Sequence, residues 1–358
     1  MNSCLKIVIF VPGLNIGGIE KVFLNYASLL SEARSEVVLL TCHENTDLIN
    51  IIPKKVNCVN LRTNKLSKSI FQIVRFFKEY RPDYILTANA ATIAIIFAKY
   101  LSFSKVKIIA SHHNYINNEI HYFIDRLLLY KAYNLCWKVI AVSSGIKKHL
   151  EEFGVRKSKI EVITNPINTS EIDRMIIEST IDLQGPYIVF LGRLSVVKNL
   201  LFLLSSFQNV ISRFEMLKLY IVGDGPEKIN IENKITEFGL IGKVILTGAL
   251  DNPYPILNKA SIVVLPSLSE AFPTVLLEGL YLGKTIVATP TNGALEILGT
   301  GGWGYVSTSF DDANEFSDLI LRGLTQPINP NNLRKRFDEM FNPQNSVSKL
   351  IKLMDINQ

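Results

Sequence analysis

Short apolar runs rich in β-branched residues alternate with helix-period segments along the whole chain, and that alternation leaves little besides parallel α/β architecture open. In the first half the strand segments are Lys6 to Val11, Glu36 to Thr41, Tyr84 to Ala88, Lys107 to Ala110 and Lys138 to Val142. Helical patterns at Gly18 to Ser31, Lys68 to Tyr80, Ala91 to Leu101, Glu119 to Cys136 and Ser144 to Phe153 separate most of them. The second half repeats the pattern, with strands at Tyr187 to Leu191, Lys218 to Val222, Val244 to Thr247, Ile262 to Leu265 and Thr285 to Ala288. Helices at Leu200 to Ser212, Glu227 to Phe238 and Pro273 to Leu282 lie between these strands.

A chain of 358 residues exceeds what one core usually serves, so two domains are expected. The expected organisation is two doubly wound Rossmann-like domains facing a cleft. The first spans residues 1–168 and the second 187–340, with a hinge at 169–186. A C-terminal helix within 341–358 is expected to pack back on the first domain. The hinge is placed where two prolines, Pro166 and Pro186, bracket short polar residues and weak periodicity.

The longest strongly apolar run, near Thr92 to Ala98, is too short to span a bilayer, and the four scattered cysteines form no Cys-x-x-Cys pair. A reduced, cytoplasmic protein is expected. Net charge is +6, but residues 1–180 hold 23 Lys and Arg against 15 Asp and Glu, whereas the rest hold 15 against 17. The basic half suits a phosphate-bearing partner or an anionic membrane surface. It contains no nucleic-acid-binding module, so nucleic acid is not expected.

The most specific chemistry lies in Leu265 to Gly283, where Glu270 and Glu278 flank a Phe272-Pro273-Thr274 turn. Pro273 is expected at the first helical position, leaving the amides of Phe272, Thr274 and Val275 pointing out of a helix start where anions bind. Carboxylates on either side suggest a ligand that is part anion and part polyol. After the strand at Tyr187, Gly192 leads to Arg193 and Lys198, a guanidinium and an ammonium suited to a diphosphate leaving group or, more plainly, to solvated surface. Gly223 and Gly225 in GDGPEK permit a sharp turn beside a base or phosphate, or simply a turn. Gly17 and Gly18 leave amides uncovered at the first helix start, and His112 and His113 end a buried strand. The amphipathic Lys68 to Tyr80 segment fits an interfacial membrane helix or an ordinary helix packed on a sheet.

In order along the chain, LNIGGIEKV, SHHN, AVSSGIKKHL, VITNPIN, FLGRLSVVKN, IVGDGPE, SEAFPTVLLE and TPTNGALEIL resemble the motifs of retaining glycosyltransferase family 4, also called glycosyl transferases group 1, with the GT-B fold. The resemblance spans nearly the whole chain. It implies that Arg193 and Lys198 bind the donor diphosphate, Glu278 the nucleotide ribose and Glu270 the transferred sugar, with the amides of Phe272 to Val275 assisting. Gly17, Gly18, Asn165, Gly192, Gly223 and Gly225 fall at further donor-binding positions, and His113, with His112 as a fallback, matches the cleft histidine.

It further implies a nucleotide-sugar donor, UDP-linked by expectation, and no cofactor or obligatory metal, while the basic first half suggests a polyprenyl-diphosphate-linked glycan or another membrane-bound saccharide as acceptor, with contact to anionic membrane. Glu270 has no second carboxylate placed for the double displacement of retaining glycosidases. Ala271 stands where glycine is common in the family, which affects which donor sugar fits. Sugar-nucleotide epimerases, phosphorylases and silent binding subunits share the same two-domain plan.

Overall fold

The computed structural model describes residues 5–14, 17–33, 35–42, 52–63, 66–115, 123–178, 183, 185–299 and 302–354. The chain divides into two compact units, residues 1–168 with 343–358, and residues 169–342.

The first unit is built from β1 (Lys6–Val11), α1 (Gly18–Glu32), β2 (Glu36–Thr41), β3 (Asn57–Asn60), α2 (Leu66–Tyr80) and β4 (Tyr84–Ala88). It continues through α3 (Ala91–Ser102), β5 (Lys107–His112), α4 (Phe123–Leu135), β6 (Lys138–Ala141), α5 (Ser144–Glu152) and β7 (Ile160–Val162). Among the described residues its strands form one parallel sheet in the order β3-β2-β1-β4-β5-β6-β7. The β1 sequence KIVIFV is apolar at every position but its first because helices cover both faces of the sheet, and Ile7 to Phe10 are fully buried. Each such side chain contributes about 1.5–3 kcal/mol relative to exposure.

The second unit comprises α6 (Thr169–Ile177), β8 (Tyr187–Leu191), α7 (Leu200–Ile211), β9 (Lys218–Val222), α8 (Lys228–Glu237), β10 (Val244–Gly248) and α9 (Tyr254–Lys259). After these come β11 (Ile262–Leu265), α10 (Thr274–Tyr281), β12 (Thr285–Ala288), α11 (Asn292–Leu298), β13 (Tyr305–Val306), α12 (Ala313–Thr325) and α13 (Pro330–Met340). Its parallel sheet runs β10-β9-β8-β11-β12-β13. In each unit the strand order reverses beside the first strand, between β1 and β4 and between β8 and β11, and the loops leaving those strands flank the crevice where such sheets bind ligands.

Two features differ from the sequence reading. Residues 169–177, read as hinge, are helix α6 of the second unit, tied down where the Tyr281 hydroxyl donates to Asp173 Oδ2 at 2.7 Å. The short strands β3, β7 and β13 were not legible, because NCVN, IEV and YV are half-exposed and carry no periodicity. The first four positions of the Glu119 to Cys136 pattern lie outside the described residues.

The last helix, α14 (Pro343–Leu353), belongs to the first unit. Its Val347 and Leu350, with Met354 just beyond, join the cluster made by α1 and β1, and Thr164 Oγ lies 3.0 Å from Ser346 Oγ.

Candidate active site

In the second unit the loops after β8 and β11 converge, although Lys198 and Glu270 are 72 residues apart. Beyond Leu191 the chain passes Gly192 to Ser195, makes one 3-10 turn at Val196–Lys198, and enters α7 through Asn199 in the left-handed region at φ 55°. Two bonds hold that turn: Asn199 Nδ2 donates to Phe310 O at 3.1 Å, and the Leu268 amide donates to Val197 O at 2.8 Å. The second of these fastens the β11 loop to the β8 loop.

As a result Lys198 Nζ donates to Glu270 Oε1 at 2.5 Å, and Ser267 Oγ donates to the same oxygen at 2.7 Å. The pair is largely withdrawn from water, with side-chain exposures of 22% and 12%. A charge-assisted bond in such surroundings is stronger than a surface ion pair, and it fixes both side chains. Glu270 Oε2 has no partner among the described residues, so it remains available to accept a hydrogen bond.

Arg193, expected to act with Lys198, is exposed and makes no ion pair among the described residues. Its loop is positioned from behind. Gly223 and Gly225 have φ of 144° and 158°, and a Cβ on either would overlap the carbonyl of Gly192 or Leu194. That close approach allows Gly192 N to donate to Val222 O at 3.0 Å, Leu194 N to Asp224 O at 2.9 Å and Glu227 N to Leu194 O at 3.0 Å. The space these glycines vacate is filled by protein backbone.

Helix α10 begins one residue later than expected. Pro273 is its N-cap, with an extended ψ of 115°, and Thr274 is the first helical residue. Leu276 N is satisfied by Pro273 O at 3.2 Å, whereas the amides of Thr274 and Val275 have no acceptor among the described residues. They face out of the helix start beside Glu270, as a site for negative charge requires. The Phe272 ring packs edge-on against Phe341 at 5.9 Å.

Glu278 is 1% exposed, inside α10, with the Tyr254 hydroxyl 3.5 Å from its Oε1. It is a buried carboxylate held from α9, a partnership that the sequence pattern did not indicate. Three further supporting residues were also missed. Thr289 Oγ1 donates to Ser267 O at 2.5 Å, and Gly293 N donates to Glu270 O at 3.0 Å. A Cβ on Gly293 would stand 2.9 Å from the Ala271 carbonyl and 2.7 Å from Pro273 Cδ, so glycine is what lets α11 back the loop. The TPTNG motif was the signal for this contact.

The first unit holds the remaining predicted residues. Gly17 is the N-cap of α1, and the Glu20 carboxylate folds back over it, into the space a Cβ would occupy. A carboxylate thus already faces the helix start that the sequence reading reserved for phosphate or sugar. No described residue lies within 4 Å of a Cβ on Gly18, and Asn15 and Ile16 lie outside the described residues. Asn165 is buried in a segment stitched to α1, where Asn25 Nδ2 donates to Pro166 O at 3.0 Å and Asn168 Nδ2 to Ser28 Oγ at 3.2 Å.

Both histidines are buried. His112 Nδ1 lies 2.8 Å from the Tyr133 hydroxyl, His113 packs edge-on to Phe23 at 5.9 Å, and neither Nε2 has a partner among the described residues. Burial lowers each imidazole from 6.5 to about 3, and for His112 the neighbouring His113 and His149 add to the effect. At neutral pH both are neutral, able to share a hydrogen bond but not to supply an imidazolium proton.

This has a measurable consequence. As pH falls through 6.5 the unfolded chain protonates both rings while the folded chain resists until about 3, so the unfolded state gains protons across that interval. The histidine contribution is complete above about 6.5 and is lost progressively below it. The denaturant midpoint is expected to fall from pH 7 to pH 5, and to fall less in His113→Gln. Equal pH slopes for variant and parent would show that His113 is not held neutral by the fold.

The family model described as "Glycosyl transferases group 1" matches residues 171–340, and that described as "Glycosyltransferase Family 4" matches residues 16–171. The chain is 28% identical over 260 residues to an uncharacterized glycosyltransferase of Methanocaldococcus jannaschii, an alignment covering 65% of this chain and 62% of that one. It is 25% identical over 346 residues to the GalNAc-alpha-(1->4)-GalNAc-alpha-(1->3)-diNAcBac-PP-undecaprenol alpha-1,4-N-acetyl-D-galactosaminyltransferase of Campylobacter jejuni, covering 92% of this chain and 91% of that enzyme. Among solved structures, Anabaena Alr3699/HepE in complex with UDP and glucose superposes with a TM-score of 0.83 at 17% identity, covering 98% of this chain and 99% of that one.

Proposed function

Because the chain belongs to glycosyltransferase family 4, with the GT-B plan of two Rossmann-like domains, we propose that it is a retaining enzyme acting on a UDP-sugar. It moves a hexose or N-acetylhexosamine to a lipid-linked saccharide during assembly of a surface glycan. The observation that carries this reading is the bond between Lys198 and Glu270, which joins the basic loop after β8 to the acidic loop after β11 at the switch point of one sheet.

The chemistry follows from that junction. Lys198 and Arg193 supply positive charge for the departing diphosphate, and the Thr274 and Val275 amides add donors fixed before the reaction begins. Glu270 has Oε1 engaged by an ammonium and a hydroxyl and Oε2 open to accept, an arrangement suited to orienting a sugar hydroxyl. Retention is then achieved when the leaving diphosphate takes the acceptor's proton on the face it departs from. Catalysis rests on positioning and electrostatics. The cationic side chains offset the diphosphate charge that a metal would otherwise neutralise, so the step calls for none and chelator should leave turnover unchanged.

The named substrate of the Campylobacter relative, an undecaprenyl-diphosphate glycan, supports a lipid-linked acceptor, and hence peripheral contact with the inner face of the cytoplasmic membrane. No helix among the described residues is long and apolar enough to cross a membrane. The test is to supply a panel of UDP-sugars with a polyprenyl-diphosphate-linked acceptor, to identify products by mass spectrometry and to read the anomeric configuration by NMR. An α-linked product from an α-linked donor is expected; an inverted product, or isomerised donor without transfer, would overturn the proposal.

A further inference from the structure

We propose that the helical layer α2–α3–α4 of the first unit is the face that docks on an anionic lipid bilayer. This rests on the lipid-linked acceptor proposed above and names the surface that meets the lipid. Among the described residues of this unit, exposed large apolar side chains occur only on α2, α3, α4 and the turns that follow α3 and α4; α1, α5 and α14 carry none. The leading ones are Phe71, Phe97, Tyr100, Leu101, Phe103 and Trp137.

Their spacing shows one face. Helix α3 buries Ala91, Ala94, Ile95 and Ala98 inward, while Phe97, Tyr100 and Leu101, at i, i+3 and i+4, point outward together. On α2 the apolar stripe noticed in the sequence, centred on Ile73 and Phe77, is buried in the fold and unavailable to lipid. The outward stripe is Phe71, Arg75 and Lys78, an aromatic followed by two cations, of which Arg75 is paired with the exposed Glu79 at 2.7 Å. Helix α2 packs beside α3, and α3 beside α4, so the outward stripes adjoin.

Phe103 is the sharpest sign. It caps α3 in the left-handed region at φ 54°, where glycine is the usual occupant, and its ring is 92% exposed. That backbone conformation is unfavourable for a non-glycine residue. No packing among the described residues offsets the cost. Beside it opens a cavity of about 660 Å³ lined by Phe103, Lys78, Arg81, Lys105 and Lys107. The one carboxylate in its wall, Asp83, is already engaged by the Lys6 amide at 2.9 Å.

Charge selects the occupant. Residues 66–138 hold ten Lys and Arg against four Asp and Glu, a net +6 that equals the net charge of the whole chain. A second copy would bring this face against its own like charge. An anionic headgroup layer instead meets the cations while the aromatic rings enter the acyl boundary.

The experiment is co-sedimentation of the full chain with phosphatidylcholine vesicles, with and without phosphatidylglycerol. The parent is expected to pellet only with phosphatidylglycerol and to be released by salt. Neutralising Lys78, Arg81 and Lys105 together to Gln should lower partition by about 100-fold, at about fivefold per residue. Phe103→Ser should weaken binding at low salt while leaving thermal stability equal or higher, which separates lost docking from lost folding. Parent-like binding by these variants would overturn the assignment, as would self-association that the same variants abolish. Transfer to the polyprenyl-diphosphate-linked acceptor held in detergent, measured in parallel, separates the two proposals: vesicle binding without transfer sinks the proposed reaction, and transfer without vesicle binding sinks only the docking face.

Discussion

Replacing Lys198 with Met is expected to lower transferase turnover by about 100- to 1000-fold, the usual cost of removing one fixed charge from a site where charge develops. The same change leaves the Glu270 carboxylate, 12% exposed, with Ser267 as its remaining partner, and should destabilise the second unit by about 1–3 kcal/mol. Glu270→Gln removes the countercharge from Lys198 in turn. Because the two groups touch at 2.5 Å their effects cannot add. In stability the double variant Lys198→Met/Glu270→Gln should lie closer to the parent than the sum of the single losses, since it leaves no buried charge alone. In turnover it should stay as poor as the worse single variant. Steady-state kinetics and denaturant unfolding on the four proteins close the cycle. Near-normal turnover in Lys198→Met would remove Lys198 from the active site, and strictly additive stabilities would mean that the ion pair does not hold the two loops together.

Gly223→Ala should be the most damaging single methyl group added to this chain. The new Cβ would overlap the Gly192 carbonyl, and φ at 144° excludes an L-residue even where space exists. Steric overlap with backbone and a forbidden dihedral together place the expected loss at about 3–5 kcal/mol, beyond the range of most point changes. Any protein that still folds must displace the loop carrying Arg193, so activity should fall further than stability. Gly18→Ala provides the contrast. Among the described residues nothing lies within 4 Å of the added atom, and the residue opens a helix, so stability should hold or rise by about 0.4–1 kcal/mol. Urea midpoints of the two variants beside the parent decide the matter. A Gly223→Ala protein as stable as Gly18→Ala would mean that the two loops are not in backbone contact.

These two predictions mark where the sequence stops being sufficient. The central strands, the two-unit plan and the loops that carry the chemistry were legible because each is written locally: KIVIFV and IVVL are apolar on both faces only if helices cover both, and a proline after a small-residue loop announces a helix start. The start itself was misplaced by one residue, since proline fixes φ but not the ψ that makes Pro273 a cap. Edge strands such as NCVN escaped because an edge buries little and so needs no pattern. Helix α6 was read as hinge because its support comes from Tyr281, more than a hundred residues away.

The amino-acid sequence by itself determined which residues have the chemistry for the proposed reaction: Arg193, Lys198, Glu270, Glu278 and the turn between the glutamates. Only the tertiary structure decided how they are used. It bound Lys198 to Glu270 while leaving Arg193 exposed, filled the space beside Gly223 and Gly225 with backbone, covered Gly17 with Glu20, and turned the Ile73 stripe of α2 inward while leaving Phe103 outside. The physical reason is common to all of these. Periodicity and turn chemistry act between neighbours in the chain, whereas a salt bridge, a carbonyl against a glycine or an uncovered ring depends on which distant segments the packed sheet brings together.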